Sequence, residues 1–155
     1  MIVSIASGKG GTGKTTVATN LARSVGAPIQ LLDCDVEEPN AHLFINPSFE
    51  GSQTAYLPVP AVDEDRCTYC GKCAEICQFK AIAVVNQNIL IFDELCHSCG
   101  GCWEICPESA ILEGRRELGI IERGHSNGIE FIHGCLRVGE AMSPPLIKQV
   151  RAYQD

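Results

Sequence analysis

The stretch Ser7-Gly-Lys-Gly-Gly-Thr-Gly-Lys-Thr-Thr16 decides how the rest of this chain is read. It satisfies G-x4-G-K-[ST] through Gly8, Gly13, Lys14 and Thr15, the spacing of a phosphate-binding loop. Glycines let a backbone turn tightly around phosphate oxygens without side-chain clash. Their amides, and the N-terminus of a helix that follows, then face the phosphates as donors. Lys14 would bridge phosphates and the Thr15 hydroxyl would ligate Mg2+. Such a loop needs a strand before it and a helix after it, and both are legible. Residues 2–6 read as a short buried strand. Val17, Ala18, Leu21, Ala22 and Val25 recur at helical spacing, and Gly26 and Pro28 close the helix. A glycine turn with a purely structural role is the alternative reading of the loop.

Working outward, residues 29–32 read as a second strand ending in Asp33-Cys34-Asp35. Ligands of open α/β sheets sit beyond the carboxyl ends of strands. An acidic pair there can hold Mg2+ or orient a water, and a solvated strand end is the alternative. Pro39 and Asn40 close a turn.

Two cysteine runs share one spacing: Cys67-x2-Cys70-x2-Cys73-x3-Cys77 and Cys96-x2-Cys99-x2-Cys102-x3-Cys106-Pro107. This is the ligand frame of a protein holding two 4Fe–4S clusters, in which the fourth cysteine of each run ligates the other cluster. The expected sets are Cys67, Cys70, Cys73 and Cys106 for one cluster, and Cys96, Cys99, Cys102 and Cys77 for the other. The runs lie in an internal repeat, C-x2-C-G-x-C-x-E-I-C followed by Ala81-Ile82 and by Ala110-Ile111. Structural zinc is the alternative, but it usually draws on separated C-x2-C pairs or mixed Cys/His sets. A disulfide scaffold needs an oxidising compartment, and residues 1–6 are too short for the core of an export signal. No run of the sequence is long and apolar enough to span a membrane. A cytoplasmic setting is expected.

The net charge is −7 over 155 residues, before any cofactor. Each oxidised cluster with its thiolates adds about −2. No basic stripe of the kind nucleic acid requires is visible. A redox partner protein with a basic face suits this balance, and simple solubility explains it equally well. Pro58 and Pro60 open the cysteine module. This divides the chain into residues 1–57, the module at 58–113, and a return segment at 114–155. Residues 120–121 and 129–132 read as a hairpin around Gly124 to Gly128. Ser143-Pro144-Pro145 starts a last helix, with Leu146, Ile147, Val150 and Tyr153 on its apolar face.

Lys9 gives the loop the form Lys-Gly-Gly-Thr-Gly-Lys-Thr, which resembles the deviant phosphate loop of the MinD/ParA superfamily. That superfamily includes the nitrogenase iron protein and the Mrp/Nbp35 cluster carriers. Asp33-Cys-Asp35 followed by Pro39-Asn40 resembles its switch segment. With the cysteine module and the segment from Gly134 to Pro145, the chain is similar to the subgroup carrying an inserted ferredoxin domain. The resemblance implies an α/β fold: part of a doubly wound, mostly parallel P-loop NTPase sheet with an inserted α+β 2[4Fe–4S] ferredoxin module. It implies nucleotide contacts from Gly8, Lys9, Gly10, Gly11, Thr12, Gly13, Lys14, Thr15 and Thr16. Lys9 would reach nucleotide across a homodimer interface. Lys9, Lys14 and Asp35 would be the catalytic set, with Thr15 and Asp35 at Mg2+ and Asp33 in support. Family members carry a later strand ending in Asp-x-Pro-Pro-Gly, which supplies the Walker B aspartate. No such segment occurs here, so the chain reads as the N-terminal part of a longer ATPase, and hydrolysis by this chain alone is not expected.

His42, His97, His125 and His133 are scattered and read as surface or hydrogen-bonded histidines, with His97 placed to tune a cluster by hydrogen bonding. Trp103, Tyr69 and Phe79 read as packing around clusters. Cys34 and Cys135 read as small buried hydrophobes. The functional expectation is ATP-linked electron transfer through two clusters, with ATP-dependent iron–sulfur cluster delivery as the alternative.

Overall fold

The computed structural model describes residues 1–26 and 28–154. In chain order it runs α1 (Lys14–Ser24), β1 (Ile29–Asp33), α2 (Ala41–Ile45), β2 (Ser48–Val62), α3 (Lys72–Ile76), β3 (Ile82–Val85), β4 (Asn88–Ile91), a 3-10 turn (Asp93–Leu95), α4 (Gly101–Ile105), β5 (Ile111–Ser126), β6 (Ile129–Leu136) and α5 (Ser143–Arg151). The chain divides into two units. One is Met1–Ala55 together with the chain from Leu118 onward, and the other is Tyr56–Glu117. The boundaries read from sequence fall at 57/58 and 113/114. They differ because the crossing points are not linkers: β2 and β5 each run unbroken from one unit into the other. Pro58 and Pro60 lie inside β2, and β2 is the last strand of its sheet, where a missing amide donor is tolerated.

The first unit carries a mixed sheet in the order β1-β6-β5-β2. β1 lies parallel to β6 and β5 antiparallel to it. The hairpin is present, with the two-residue turn Asn127-Gly128 in positive φ between the paired Ser126 and Ile129. β6 is buried on both faces, as its near-continuous apolar sequence requires. Ile129 and Phe131 pack on Ala22 of α1 and on Ala41 and Ile45 of α2. On the alternate positions, Gly134 meets α5. A Cβ there would stand 2.7 Å from Val150 and 3.1 Å from Leu146, so only glycine lets the helix sit this close.

Two expectations are corrected. Residues 2–6 form no strand, and Ile2 and Val3 are 67% and 56% exposed. Apolar sequence alone does not make a strand; a strand needs a hydrogen-bonded neighbour, and none of the described strands pairs with these residues. The helix after the loop is present, but the face it buries is that of Thr19 and Ala22, while Val17, Leu21 and Val25 are exposed. The Thr19 hydroxyl returns to the Thr15 carbonyl at 2.8 Å, which lets a polar residue be buried there.

The second unit is small. β3 and β4 form a two-stranded antiparallel sheet, and the five-residue helices α3 and α4 pack on one another. Its core is Cys73, Ile82 and Ile111, flanked by Cys102, Trp103 and Cys106 among others. Trp103 is anchored by its indole N–H to the Leu112 carbonyl at 3.0 Å.

Gly134→Val is expected to destabilise the first unit by about 1–3 kcal/mol through overpacking against α5. Urea denaturation followed by far-UV circular dichroism measures it, and an unchanged midpoint would contradict the packing described.

Candidate functional site

In the glycine loop, Gly11 and Gly13 take positive φ of 68° and 85°, which a side chain would strain. Gly13 is the N-cap of α1; no side chain caps the helix and no acidic residue occupies its first turn. The helix therefore presents its amides and positive end unopposed, as an anion site requires. Ser7 and Thr12 join hydroxyls at 2.7 Å, and the Ser7 hydroxyl also donates to the Lys9 carbonyl at 2.8 Å, which sets the curvature of the loop. Lys14, Thr15 and Thr16 follow on the first turn of α1.

The loop is tied to the segment after β1. Thr15 donates its hydroxyl to Asn40 Oδ1 at 2.9 Å. Asp33 accepts the Asp35 amide on one carboxylate oxygen and the Ala41 amide on the other, both at 3.1 Å. Asp33 thus holds the segment in place, whereas Asp35 is exposed. The sequence places Asn40 at a turn and in the segment that resembles the switch, but gives no sign of its contact with Thr15.

The eight framework cysteines gather in two groups. Cys67, Cys70, Cys73 and Cys106 line one cavity. Cys77, Cys96, Cys99 and Cys102 line another, of about 260 Å3; the first is tighter, about 20 Å3. The fourth cysteine of each run lies with the other run. The repeat is also kept in the hydrogen bonds to sulfur. Tyr69 and Ser98 amides donate to Cys67 and Cys96 at 3.4 Å, and Ala81 and Ala110 amides to Cys77 and Cys106 at 3.2 Å. Positive φ at Tyr69, Gly71, Ser98 and Gly100 curls both loops alike. None of the ten cysteines is in a disulfide. Among the described residues, no three His, Cys, Asp or Glu side chains converge as they would on a single metal ion. Thiols spread around a cavity, each able to bind one metal atom, and amides aimed at their sulfurs suit a polynuclear iron–sulfur group.

Burial raises the Cys73, Cys96 and Cys102 thiols above the ordinary range, with Cys102 pushed up to about 11. The neighbouring thiols add to the rise: Cys67 and Cys70 for Cys73, Cys99 and Cys77 for Cys96, and Cys96 and Cys99 for Cys102. Metal must displace these protons, so ligation is coupled to pH.

The remaining residues fall elsewhere. His133 is 4% exposed and pairs through Nε2 with Glu122 at 3.0 Å, stacked against Phe49 and beside His42 and Phe131. His125 meets Glu50 on the surface. His97 stacks on Phe79, ring centroids 3.7 Å apart, at the rim of the larger cavity. Cys34 and Cys135 are half-buried and belong to neither group. Arg116, buried in the cysteine unit, carried no sequence signal. No helix among the described residues is long and apolar enough to cross a membrane.

A glycine loop at a helix N-terminus, beside a mixed sheet with helices on both faces, defines a nucleotide-binding α/β protein. The family model for the CobQ/CobB/MinD/ParA nucleotide binding domain matches residues 3–143, and the chain belongs to that family. Uncharacterized protein MJ0578 of Methanocaldococcus jannaschii is 39% identical over 154 residues, covering 97% of this chain and 54% of the relative. Uncharacterized protein MJ0579 of the same organism is 30% identical over 162 residues, covering 99% and 56%. The chain spans about half the length of these two relatives. An iron-sulfur cluster carrier protein of Synechocystis is 43% identical over 60 residues, covering 37% of this chain and 17% of that protein.

In the metal-free chain, raised thiol pKa values mean fewer thiolates at neutral pH. At pH 8, Cys102 should alkylate roughly two-hundredfold more slowly than an ordinary cysteine of pKa near 8.5, while exposed Cys70 and Cys99 react first. The Cys102 rate should climb about tenfold per pH unit up to pH 10. Mass spectrometry of iodoacetamide-treated protein reads this, and equal rates at all three sites would contradict it.

Proposed function

We propose that this protein couples nucleotide binding to one-electron transfer through two 4Fe–4S clusters held in an inserted ferredoxin module. The observation that carries the reading is that each cavity is lined by a full set of four cysteines drawn from both runs. When bound, the clusters supply reversible one-electron chemistry. The chain's part is to hold them with Cys67, Cys70, Cys73 and Cys106 on one side and Cys96, Cys99, Cys102 and Cys77 on the other. Ala81, Ile82, Ala110 and Ile111, all buried, keep water from the thiols.

On the nucleotide side, Gly8 to Thr16 would cradle the phosphates of ATP, with Lys14 on the terminal phosphates. Thr15 donates to Asn40 as the chain stands. Ligating Mg2+ would turn that oxygen toward the cation and release Asn40, and with it the segment that begins at Asp35. Asp35, being exposed, is free to approach the cation or its water. Lys9 is exposed on the loop and suits contact with nucleotide across a homodimer. The acceptor of the electrons would be a separate redox partner protein.

Delivery of clusters to other proteins is the second reading, favoured by the match to the Synechocystis carrier protein and by the exposure of Cys70 and Cys99. Retention separates the two. Loaded protein mixed with an apo-ferredoxin acceptor should keep its iron and undergo repeated reduction and reoxidation; rapid loss of iron to the acceptor would replace electron transfer with delivery. Substituting Cys77→Ala should disturb the cluster of the second run and Cys106→Ala that of the first, as seen by Mössbauer and EPR spectra. Damage confined to each cysteine's own run would refute the crossed sets.

A further inference from the structure

Arg116 is 7% exposed, in a unit whose other buried side chains are apolar or cysteine. A charge held away from water acts on its surroundings far more strongly than one at the surface. Its direction follows from the strand that carries it. A Cβ on Gly114, two residues earlier on β5, would lie 3.7 Å from Val59 Cγ2 and 3.4 Å from Ala61 Cβ. Side chains two apart on a strand share a face, so Arg116 points to the face on which Val59 stands. Val59 packs with Ala81, Cys96 and Cys77. The Arg116 guanidinium is near enough to Cys96 to act on it electrostatically.

The repeat makes an asymmetry plain. The offset that carries Cys67 onto Cys96 and Ala81 onto Ala110 carries Gln87 onto Arg116. Gln87 is neutral and exposed in the β3–β4 turn. The first site has its own cations nearby, Arg66 next to Cys67 and Lys72 on the cavity wall, but both are exposed and screened by solvent, and Glu108 lines the same cavity. Two sites that match in ligands and in N–H···S bonds therefore differ in buried charge.

We propose that Arg116 makes the Cys77–Cys96–Cys99–Cys102 site the more easily reduced of the two, so that an electron given to the pair comes to rest there. The proposal rests on the two-cluster reading above. One electron leaves an external one-electron donor and lowers the charge of the site by one; no bond is made or broken and no proton has to move. A fixed cation stabilises the more negative, reduced state. Electrons would then wait on the Cys96 side, behind the exposed Phe79–His97 stack.

The test is an anaerobic dithionite titration of the loaded protein, followed by EPR. Wild type should show two one-electron steps at different potentials, and Cys99→Ser should alter the more positive one. Arg116→Met should lower that potential so that the electron's preference for the site falls about tenfold, which is 59 mV for one electron, with the other step unmoved. Arg116→Lys should keep most of the separation. Equal wild-type potentials, alteration of the more negative step by Cys99→Ser, or an unchanged separation in Arg116→Met would each overturn the proposal. If Arg116→Met does not load iron, the wild-type and Cys99→Ser titrations still decide. A wild-type chain that shows only one cluster would instead overturn the two-cluster reading itself.

Discussion

The cysteine unit depends on one constraint: the last thiol of each run lies with the other run. Cys77 ends α3 and Cys106 ends α4, and each is turned into extended backbone at the helix C-terminus. Because of that exchange, neither group of four can be completed by one half of the repeat. Helices of five residues have no stability of their own in water, and a unit of this size buries little core. Bonds to metal would contribute much of what holds it, because ligation free energy becomes folding free energy when the site exists only in the folded chain. The N–H groups of Tyr69, Ala81, Ser98 and Ala110 then serve two ends, satisfying the backbone and stabilising charge on sulfur.

The nucleotide unit is built around a different economy of polar groups. β6 is covered on both faces, which leaves its amides and carbonyls no recourse but the neighbouring strands. That fixes where β1 ends, and Asp33 at its end organises the turn that brings Asn40 back to Thr15. Among the described residues, the side-chain hydrogen bond from Thr15 to Asn40 joins the phosphate loop to the segment most exposed to its state. A bond of that kind contributes only about 1 kcal/mol, small enough for a bound cation to displace it.

The glycine loop before α1 and the gathering of eight cysteines in two groups were legible from spacing: Gly8, Gly13, Lys14 and Thr15 on one side, and the two C-x2-C-x2-C-x3-C runs on the other. The hairpin and last helix were legible from the apolar runs on either side of Gly124 to Gly128 and from Ser143-Pro144-Pro145. The strand at residues 2–6 was not correctly read, since periodicity reports an apolar segment but not whether a neighbour is there to pair with it. Helix α1 shows the same limit: Val17, Leu21 and Val25 keep helical spacing, yet packing chose the Thr19 and Ala22 face. Boundaries at Pro58 and near 113 missed the strands β2 and β5 that run through them. Asn40 with Thr15, Glu122 with His133, and Arg116 could not be found from sequence, because each depends on a partner distant along the chain or on burial alone.

The central claim is that nucleotide and electrons are coupled in one molecule. An anaerobic redox titration of the loaded chain, with and without Mg-ATP, tests it most directly. The account predicts that at least one of two low-potential 4Fe–4S signals shifts when Mg-ATP binds, and that Lys14→Ala abolishes the shift while leaving the iron content unchanged. Potentials indifferent to Mg-ATP, in protein shown by equilibrium dialysis to have bound it, would contradict the coupling.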